Sequence, residues 1–192
     1  MKTTRKIGLV AALLVSSTLV GKAQSSSPST SSKQEFRLSV GPEAGIPLGD
    51  LSNGYNWNFG GSVQADIPVI HNLYVTVNAG YNNFFVKKEH ADVPVDKNLQ
   101  LIPVKAGLKY FPGGSIFYVQ GEAGASFLAN KSDLGADKSA AFVYAPQVGV
   151  LLKLAGKNYI DLGVRFESTA AFYDGGNTNN FLGLRAAYAF GL

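Results

Sequence analysis

The chain contains no cysteine, so neither a disulfide framework nor a cysteine-ligated metal site can form. It has two histidines, His71 and His90, and its charged residues amount to only 16%, against about 25% in an ordinary soluble domain. Glycine, valine, tyrosine, phenylalanine, asparagine and threonine dominate instead, a composition that favours β-structure. We predict an all-β protein with no metal site and no cofactor.

The first 23 residues have the pattern of a signal peptide. A positive stretch, "MKTTRK", precedes the apolar run "IGLVAALLVSSTLV", and Gly21 and Ala23 are small residues at the positions that a signal peptidase reads. The apolar run is shorter than the roughly 20 residues of a membrane-spanning helix. We predict a cleaved signal peptide over residues 1–23, with an uncleaved anchor as the alternative, and a disordered polar tether over residues 24–35.

Removing that segment changes the charge balance. Four of the 17 Lys and Arg residues lie within it, while all 13 Asp and Glu residues lie beyond it. The mature chain is therefore formally neutral, and its composition gives no reason to expect a nucleic-acid partner.

Residues 36–192 divide into eight extended segments. They span residues 36–48, 56–68, 73–85, 99–111, 116–129, 140–153, 159–172 and 180–190. Short connections such as "PGGS" alternate strictly with long polar ones such as "VKKEHADVPVDKN". An up-and-down antiparallel meander would place every short turn at one end and every long loop at the other.

The two faces of these segments differ in chemistry. In "NYIDLGVRFES" (158–168), Ile160, Leu162, Val164 and Phe166 share one face, because side chains on a strand alternate. Across all eight segments this face carries no charge, whereas the other combines isolated charges with many glycines. Repeated glycine suits a crowded interior better than a hydrated surface. The charged face is therefore predicted to be the inside.

The apolar face also has a pattern along its length. Aromatic residues gather near both ends of the strands, and aliphatic residues fill the middle, as in proteins that cross two lipid–water interfaces. Backbone groups at an open sheet edge would have no partners in hydrocarbon. The predicted fold is therefore an eight-stranded antiparallel up-and-down transmembrane β-barrel over residues 36–192.

Motifs such as "LIPVKAGLKYF" (101–111) and "FYVQGEAGASF" (117–127), together with the eight-fold pattern, resemble the small outer-membrane β-barrel proteins of Gram-negative bacteria, of the OmpX and OmpA type. The resemblance implies a monomer in the outer membrane. It also implies contacts with outer-membrane lipids, periplasmic chaperones and the barrel-assembly machinery. Roles in this family are varied, so the resemblance indicates a location more than an activity.

Six inward charges are predicted to form a network in the lumen: Glu43, Lys105, Glu122, Arg165, Glu167 and Arg185. If the hairpin is centred on "PGGS", Lys105 lies opposite Glu122. Arg165, Glu167 and Arg185 fall at a similar height, with Glu43 across the closing seam from Arg185. Charges in a narrow lumen must be paired or hydrated, so the network is either a salt-bridged plug or an ion path.

Three functions remain open on the sequence. The first is a structural or surface-interaction barrel whose long extracellular loops contact an unidentified ligand. The second is a small-solute channel, and the third is a lipid-modifying enzyme, which would use a Ser/His pair at the membrane rim. Neither histidine has a serine within two residues and neither lies in a predicted strand, so no catalytic residue is predicted.

Overall fold

The computed structural model describes residues 35–87, 97–134 and 136–192. The predicted signal peptide, His90 and the predicted tether except for Glu35 lie outside these ranges. Within them the chain forms eight strands: β1 Arg37–Leu48, β2 Tyr55–Ile70, β3 Leu73–Val86, β4 Leu99–Tyr110, β5 Phe117–Leu128, β6 Ala140–Lys153, β7 Asn158–Thr169 and β8 Asn179–Gly191. Two single-turn helices, α1 Leu51–Gly54 and α2 Lys131–Leu134, lie in the long loops after β1 and β5.

Each strand pairs antiparallel with its neighbour along the chain, and β1 pairs with β8 to close a barrel. The predicted order and closure are confirmed. The main boundary difference is in β7, which ends at Thr169 and not at residue 172. Over the described residues, no helix is long and apolar enough to cross a membrane.

The two faces of the wall are as the alternation predicts. On the outside, Leu184 is 63% exposed and Val148 is 56% exposed, and large apolar side chains of all eight strands behave similarly. On the inside, ten charged side chains of the described residues are buried. The wall is therefore apolar outside and charged inside, the reverse of a water-soluble sheet.

Three prolines interrupt the hydrogen-bond ladder within the wall. Pro42, Pro103 and Pro146 each keep a register partner on one side, in β2, β5 and β5 respectively. On the other side the pairing skips two positions in each of the seams β1–β8, β3–β4 and β6–β7. The cause is the missing N–H of proline, which cannot donate to a ladder.

The inward glycines occupy space that a side chain could not share. A Cβ added at Gly149 would collide with the ring of Tyr118 and with the carbonyl of Leu162, whereas one added at the outward Gly121 would meet nothing within 4 Å. Overpacking of this kind costs roughly 1–3 kcal/mol. The predicted crowding of the lumen is therefore confirmed at this position.

We expect Gly149→Ala to lower the free energy of unfolding by about 1–3 kcal/mol and the matched Gly121→Ala to change it by less than about 0.5 kcal/mol. Urea titration of the refolded barrel measures both. Equal effects at the two positions would show that the lumen has room that this structure does not give it.

Candidate functional site

The main polar feature of the molecule is a chain of buried ion pairs inside the barrel. Among the described residues, nine charged side chains alternate in sign and each contacts the next. In order they are Lys105, Glu167, Arg165, Glu43, Arg185, Asp161, Lys109, Asp66 and Arg37. Alternation gives every buried charge an opposite neighbour, which offsets the cost of removing it from water.

The ion pairs nearer the long loops join strands that are not neighbours in the wall. Lys105 of β4 contacts Glu167 of β7 across the lumen. Arg165 of β7 contacts Glu43 of β1, and its Nε lies 3.5 Å from the Glu167 Oε2. Each of these side chains is at most 5% exposed. The first of these contacts crosses the lumen, and the contact between Arg165 and Glu43 spans the intervening strand β8.

Arg185 connects these ion pairs to the ion pairs nearer the short turns. Its Nε lies 3.4 Å from Glu43 Oε1, and its Nη1 donates to Asp161 Oδ2 at 3.2 Å. The guanidinium also donates to the hydroxyls of Ser62, at 3.1 Å, and Ser39, at 2.9 Å. The planar fork of an arginine presents five donors, and here it contacts four side chains at once.

The ion pairs nearer the short turns centre on Lys109. Its ammonium lies 2.9 Å from Asp66 Oδ2 and 3.0 Å from Asp161 Oδ2, and it stands 4.4 Å from the centre of the Tyr118 ring. The Tyr118 hydroxyl donates to Asp161 Oδ1 at 2.6 Å. Arg37 is the last member of the chain of ion pairs. Its Nε lies 3.6 Å from Asp66 Oδ2, and its guanidinium lies over the ring of Tyr74.

Five of the six predicted lumen residues belong to the chain of ion pairs, and one predicted pair is wrong. Register places Lys105 opposite Gly124, and Glu122 opposite Gly107. The predicted Lys105–Glu122 pairing is therefore two residues out of register. The "PGGS" connection does not centre the hairpin, because it forms a turn of 3₁₀-helix at Pro112–Gly114 and β5 begins only at Phe117.

Of the other predicted contacts, one is confirmed and one is not. Glu43 and Arg185 are register partners across the closing seam, as predicted. Glu167 contacts Lys105 and Arg165 and not Arg185. Four further members of the chain of ion pairs were not predicted: Arg37, Asp66, Lys109 and Asp161. Alternation assigns them to the charged face, but which charges meet depends on their height in the barrel, which alternation does not report.

Glu122 lies apart from the chain of ion pairs. It is 4% exposed and accepts a hydrogen bond from the Thr76 hydroxyl at 3.0 Å. Within the described residues, no cationic nitrogen lies within 4.0 Å of it. It is the one predicted network residue that the structure leaves without a direct ion pair.

The loop end of the lumen is closed by an apolar cap. Its buried members are Leu51, Tyr55, Phe84, Leu99, Leu101, Leu128, Ala136, Phe172 and Phe181. Leu51 and Ala136 belong to connections that the sequence predicts to be polar loops, whereas Phe172 was predicted to end the seventh extended segment and lies in the loop after β7. An apolar residue within each loop was the available signal, and the structure turns these residues inward.

Two loops of this cap are joined to each other. The Lys138 N–H donates to the Phe172 carbonyl at 3.0 Å, and the Tyr173 hydroxyl donates to the Leu134 carbonyl at 2.8 Å. On the surface, Lys138 Nζ lies 2.7 Å from Asp174 Oδ1. That hydrogen bond lowers the pKa of Asp174 and raises the pKa of Lys138, but an exposed pair of this kind contributes little to stability.

The short-turn end has a smaller apolar cluster. Tyr74, Phe111, Tyr118, Leu151 and Ala189 pack together there, with Tyr159 against them. The buried charges therefore lie between an apolar cluster at the loop end and a smaller one at the short-turn end. No cluster of three or more metal-ligating side chains occurs in the part of the chain that the structure covers.

Comparison with known proteins supports the fold. No protein-family model matches the sequence, and no curated protein matches it significantly. The structure of the Yersinia pestis outer membrane protein Ail in a phospholipid nanodisc is similar, with a TM-score of 0.54 and 15% identity over 82% of this chain and 100% of that one. Outer membrane protein AlkL in lipid bilayers gives a TM-score of 0.48 and 17% identity, over 90% of this chain and 98% of that one. The likeness to Ail and the closure of the sheet show that the chain has the closed eight-stranded β-barrel fold of that outer-membrane protein.

Proposed function

We propose that this chain is an integral outer-membrane barrel of a Gram-negative cell, exported by its signal peptide and working as a scaffold for its loop end. The observation that carries the proposal is the inverted wall, with charges enclosed and large apolar side chains exposed on every strand. Monomeric soluble proteins rarely expose more than a few hundred Å² of contiguous apolar surface. Lipid is the solvent that matches such a wall, and the barrel is proposed to be monomeric in it.

Aromatic side chains on the outer wall support a membrane location. Near the loop end, Trp57 stacks on Phe85 with ring centres 4.4 Å apart, and Tyr144 lies 6.3 Å from Phe166. Tyr110 and Tyr188 are 44% and 43% exposed nearer the short turns. Tyr and Trp prefer the interfaces between lipid and water, so these residues fit two interfacial belts.

The contents of the lumen favour a scaffold over a channel. Eight strands enclose little more than side chains. Here paired charges fill the middle, and apolar clusters close both ends. An ion crossing this barrel would have to displace Phe84 and Phe181, 0% and 2% exposed, before it met a charge.

An enzymatic role has less support. His71, the described histidine, is exposed at the short-turn end between β2 and β3, away from the loop end where a substrate from outside would arrive. The loop end instead offers a surface of defined shape, because the loops after β5 and β7 share a buried core and hydrogen bonds. We propose this loop surface as the part that contacts an extracellular ligand. The proposed partners within the cell envelope are outer-membrane lipids, periplasmic chaperones and the barrel-assembly machinery.

Single cysteines test the orientation cleanly, because the chain has none of its own. Asn177 and Ala155 are exposed at opposite ends of the barrel. On intact cells, a membrane-impermeant maleimide should label Asn177→Cys, and it should label Ala155→Cys only after permeabilisation. The reverse pattern would show an inverted topology, and labelling of both in a soluble fraction would reject membrane insertion.

Planar-bilayer recording of the purified barrel separates scaffold from channel. We expect no stable unitary conductance above that of the bilayer alone, because both ends of the lumen are closed by packed side chains. A reproducible conductance whose ion selectivity changes in Glu43→Gln would establish the channel alternative.

A further inference from the structure

A groove with a volume of about 880 Å³ crosses the outer wall from β2, over β1, β8, β7 and β6, to β5. One of its sides is a row of outward residues that are register partners in turn: Phe59, Ala44, Leu184, Val164, Val148 and Val119. The other side is the next outward row: Ala186, Leu162, Val150 and Phe117. Both sides are therefore hydrocarbon.

The floor of the groove is backbone. Between the two outward rows lies a row of inward residues: Glu43, Arg185, Gly163, Gly149 and Tyr118. The side chains of Glu43, Arg185 and Tyr118 are at most 5% exposed, because they point into the lumen, so no charge enters the groove. Outward rows two residues apart are separated by about 7 Å, which admits one hydrocarbon chain at about 3.5–4.0 Å from each side.

The groove descends along the wall from the loop end toward the short turns. Phe59 lies near the loop end of β2, whereas Phe117 is the first residue of β5, and Pro112 of the short turn also lines the groove there. Five interstrand spacings make the groove about 24 Å long. Because barrel strands tilt by about 35–45°, a row perpendicular to them descends by roughly 15 Å, half of the roughly 30 Å hydrocarbon core. The groove therefore spans the depth of one leaflet.

A cation lies beyond the short-turn end of the groove. Lys153 is the last residue of β6, three residues or about 10 Å past Val150, and it is exposed. Within the described ranges, no carboxylate oxygen lies within 4.0 Å of its ammonium. Lysine near a membrane surface is attracted to anionic lipid headgroups, so the apolar groove ends toward a group that suits a phosphate.

We propose that the groove holds one acyl chain of an anionic phospholipid from the leaflet on the short-turn side, with the lipid phosphate beside Lys153. The end of the chain points toward Phe59. A lipid elsewhere on the convex wall touches protein on one side only, whereas this chain is contacted from both sides and from below. The site rests on the membrane location proposed above and adds a specific lipid to it.

Photocrosslinking in nanodiscs tests the site. The probe is phosphatidylglycerol with a diazirine near the end of one acyl chain, diluted into phosphatidylcholine. Peptide mass spectrometry should find several-fold more crosslinks on β1 and β8 than on the opposite outer wall, β3 and β4. Even labelling around the wall would overturn the lipid site and leave the membrane location standing. A barrel that does not enter the nanodisc would overturn both.

Three variants locate the chain. Ala186→Phe fills the groove and should remove the excess of crosslinks, whereas Ala106→Phe, the same change at an exposed position of β4, should leave it. Lys153→Gln should reduce the excess, because the phosphate loses its cation. An excess that persists in Ala186→Phe overturns the proposal. Crosslinks between two copies of the chain through β1 and β8 would show that a second copy covers the groove, and would overturn it as well.

Discussion

Replacing Lys105 by methionine should lower the free energy of unfolding by about 3–5 kcal/mol, the usual cost of removing one partner of a buried ion pair. Lys105 and Glu167 are both fully buried, and they join β4 to β7 across the lumen. Methionine keeps the volume of the side chain but not the ammonium, so the Glu167 carboxylate loses its cross-lumen partner. Denaturant unfolding in detergent measures the loss.

Two double variants distinguish the partner seen in the structure from the one that the sequence predicted. Lys105→Met with Glu167→Gln should recover most of the stability, because a neutral pair of similar volume is often as stable as a buried ion pair. Lys105→Met with Glu122→Gln should recover much less, since Glu122 makes no ion pair with Lys105. Equal recovery by both would mean that overall charge balance in the lumen matters and specific contacts do not.

Single-channel recording of the same variants tests whether the lumen is an ion path. A channel lined by these charges would keep its stability in Lys105→Met and change its selectivity. Loss of stability with no conductance is the result that the braced lumen predicts.

Leu184→Arg should lower the free energy of unfolding in a bilayer by about 2–4 kcal/mol, the cost of an arginine at the middle of the lipid-facing wall. Leu184 is 63% exposed on the outer face, directly next to the inward Arg185, so the variant puts the same chemistry on opposite sides of one strand. In water a charge at so exposed a position would cost little.

Asn177→Arg, in the exposed loop after β7, is the control for this variant and should leave the free energy of unfolding nearly unchanged. Folding into lipid vesicles followed by urea titration measures both. If Leu184→Arg is as stable as the wild type, or gains solubility without detergent, the outer wall does not face hydrocarbon.

The sequence alone determined the strands, their order and the sidedness of the wall. These follow from alternation, which is a local property, since each residue's face is set by its neighbours in the chain. Ile160, Leu162, Val164 and Phe166 could therefore be assigned to the outside from one short stretch, and strict alternation of short and long connections indicated the meander.

Only the tertiary structure decided which charges meet. A barrel closes with its strands tilted and staggered, so the height of a residue depends on every register around the wall. One turn, Pro112–Gly114, was enough to move Glu122 two positions away from the expected partner. Lys105 then finds Glu167, a residue 62 positions away in the chain.

The apolar cap could not be predicted from the sequence, for a related physical reason. Leu51 and Ala136 lie in polar loops, where an isolated apolar residue has no periodicity to interpret, and Phe172 lies past the end of β7, although the alternation extended that segment to residue 172. They become core only because closure of the barrel brings the loop ends of β3, β4, β5 and β8 together, and Phe84, Leu101, Leu128 and Phe181 form an apolar rim there. Burial against that rim is a property of the closed barrel, and no single segment of the sequence contains it.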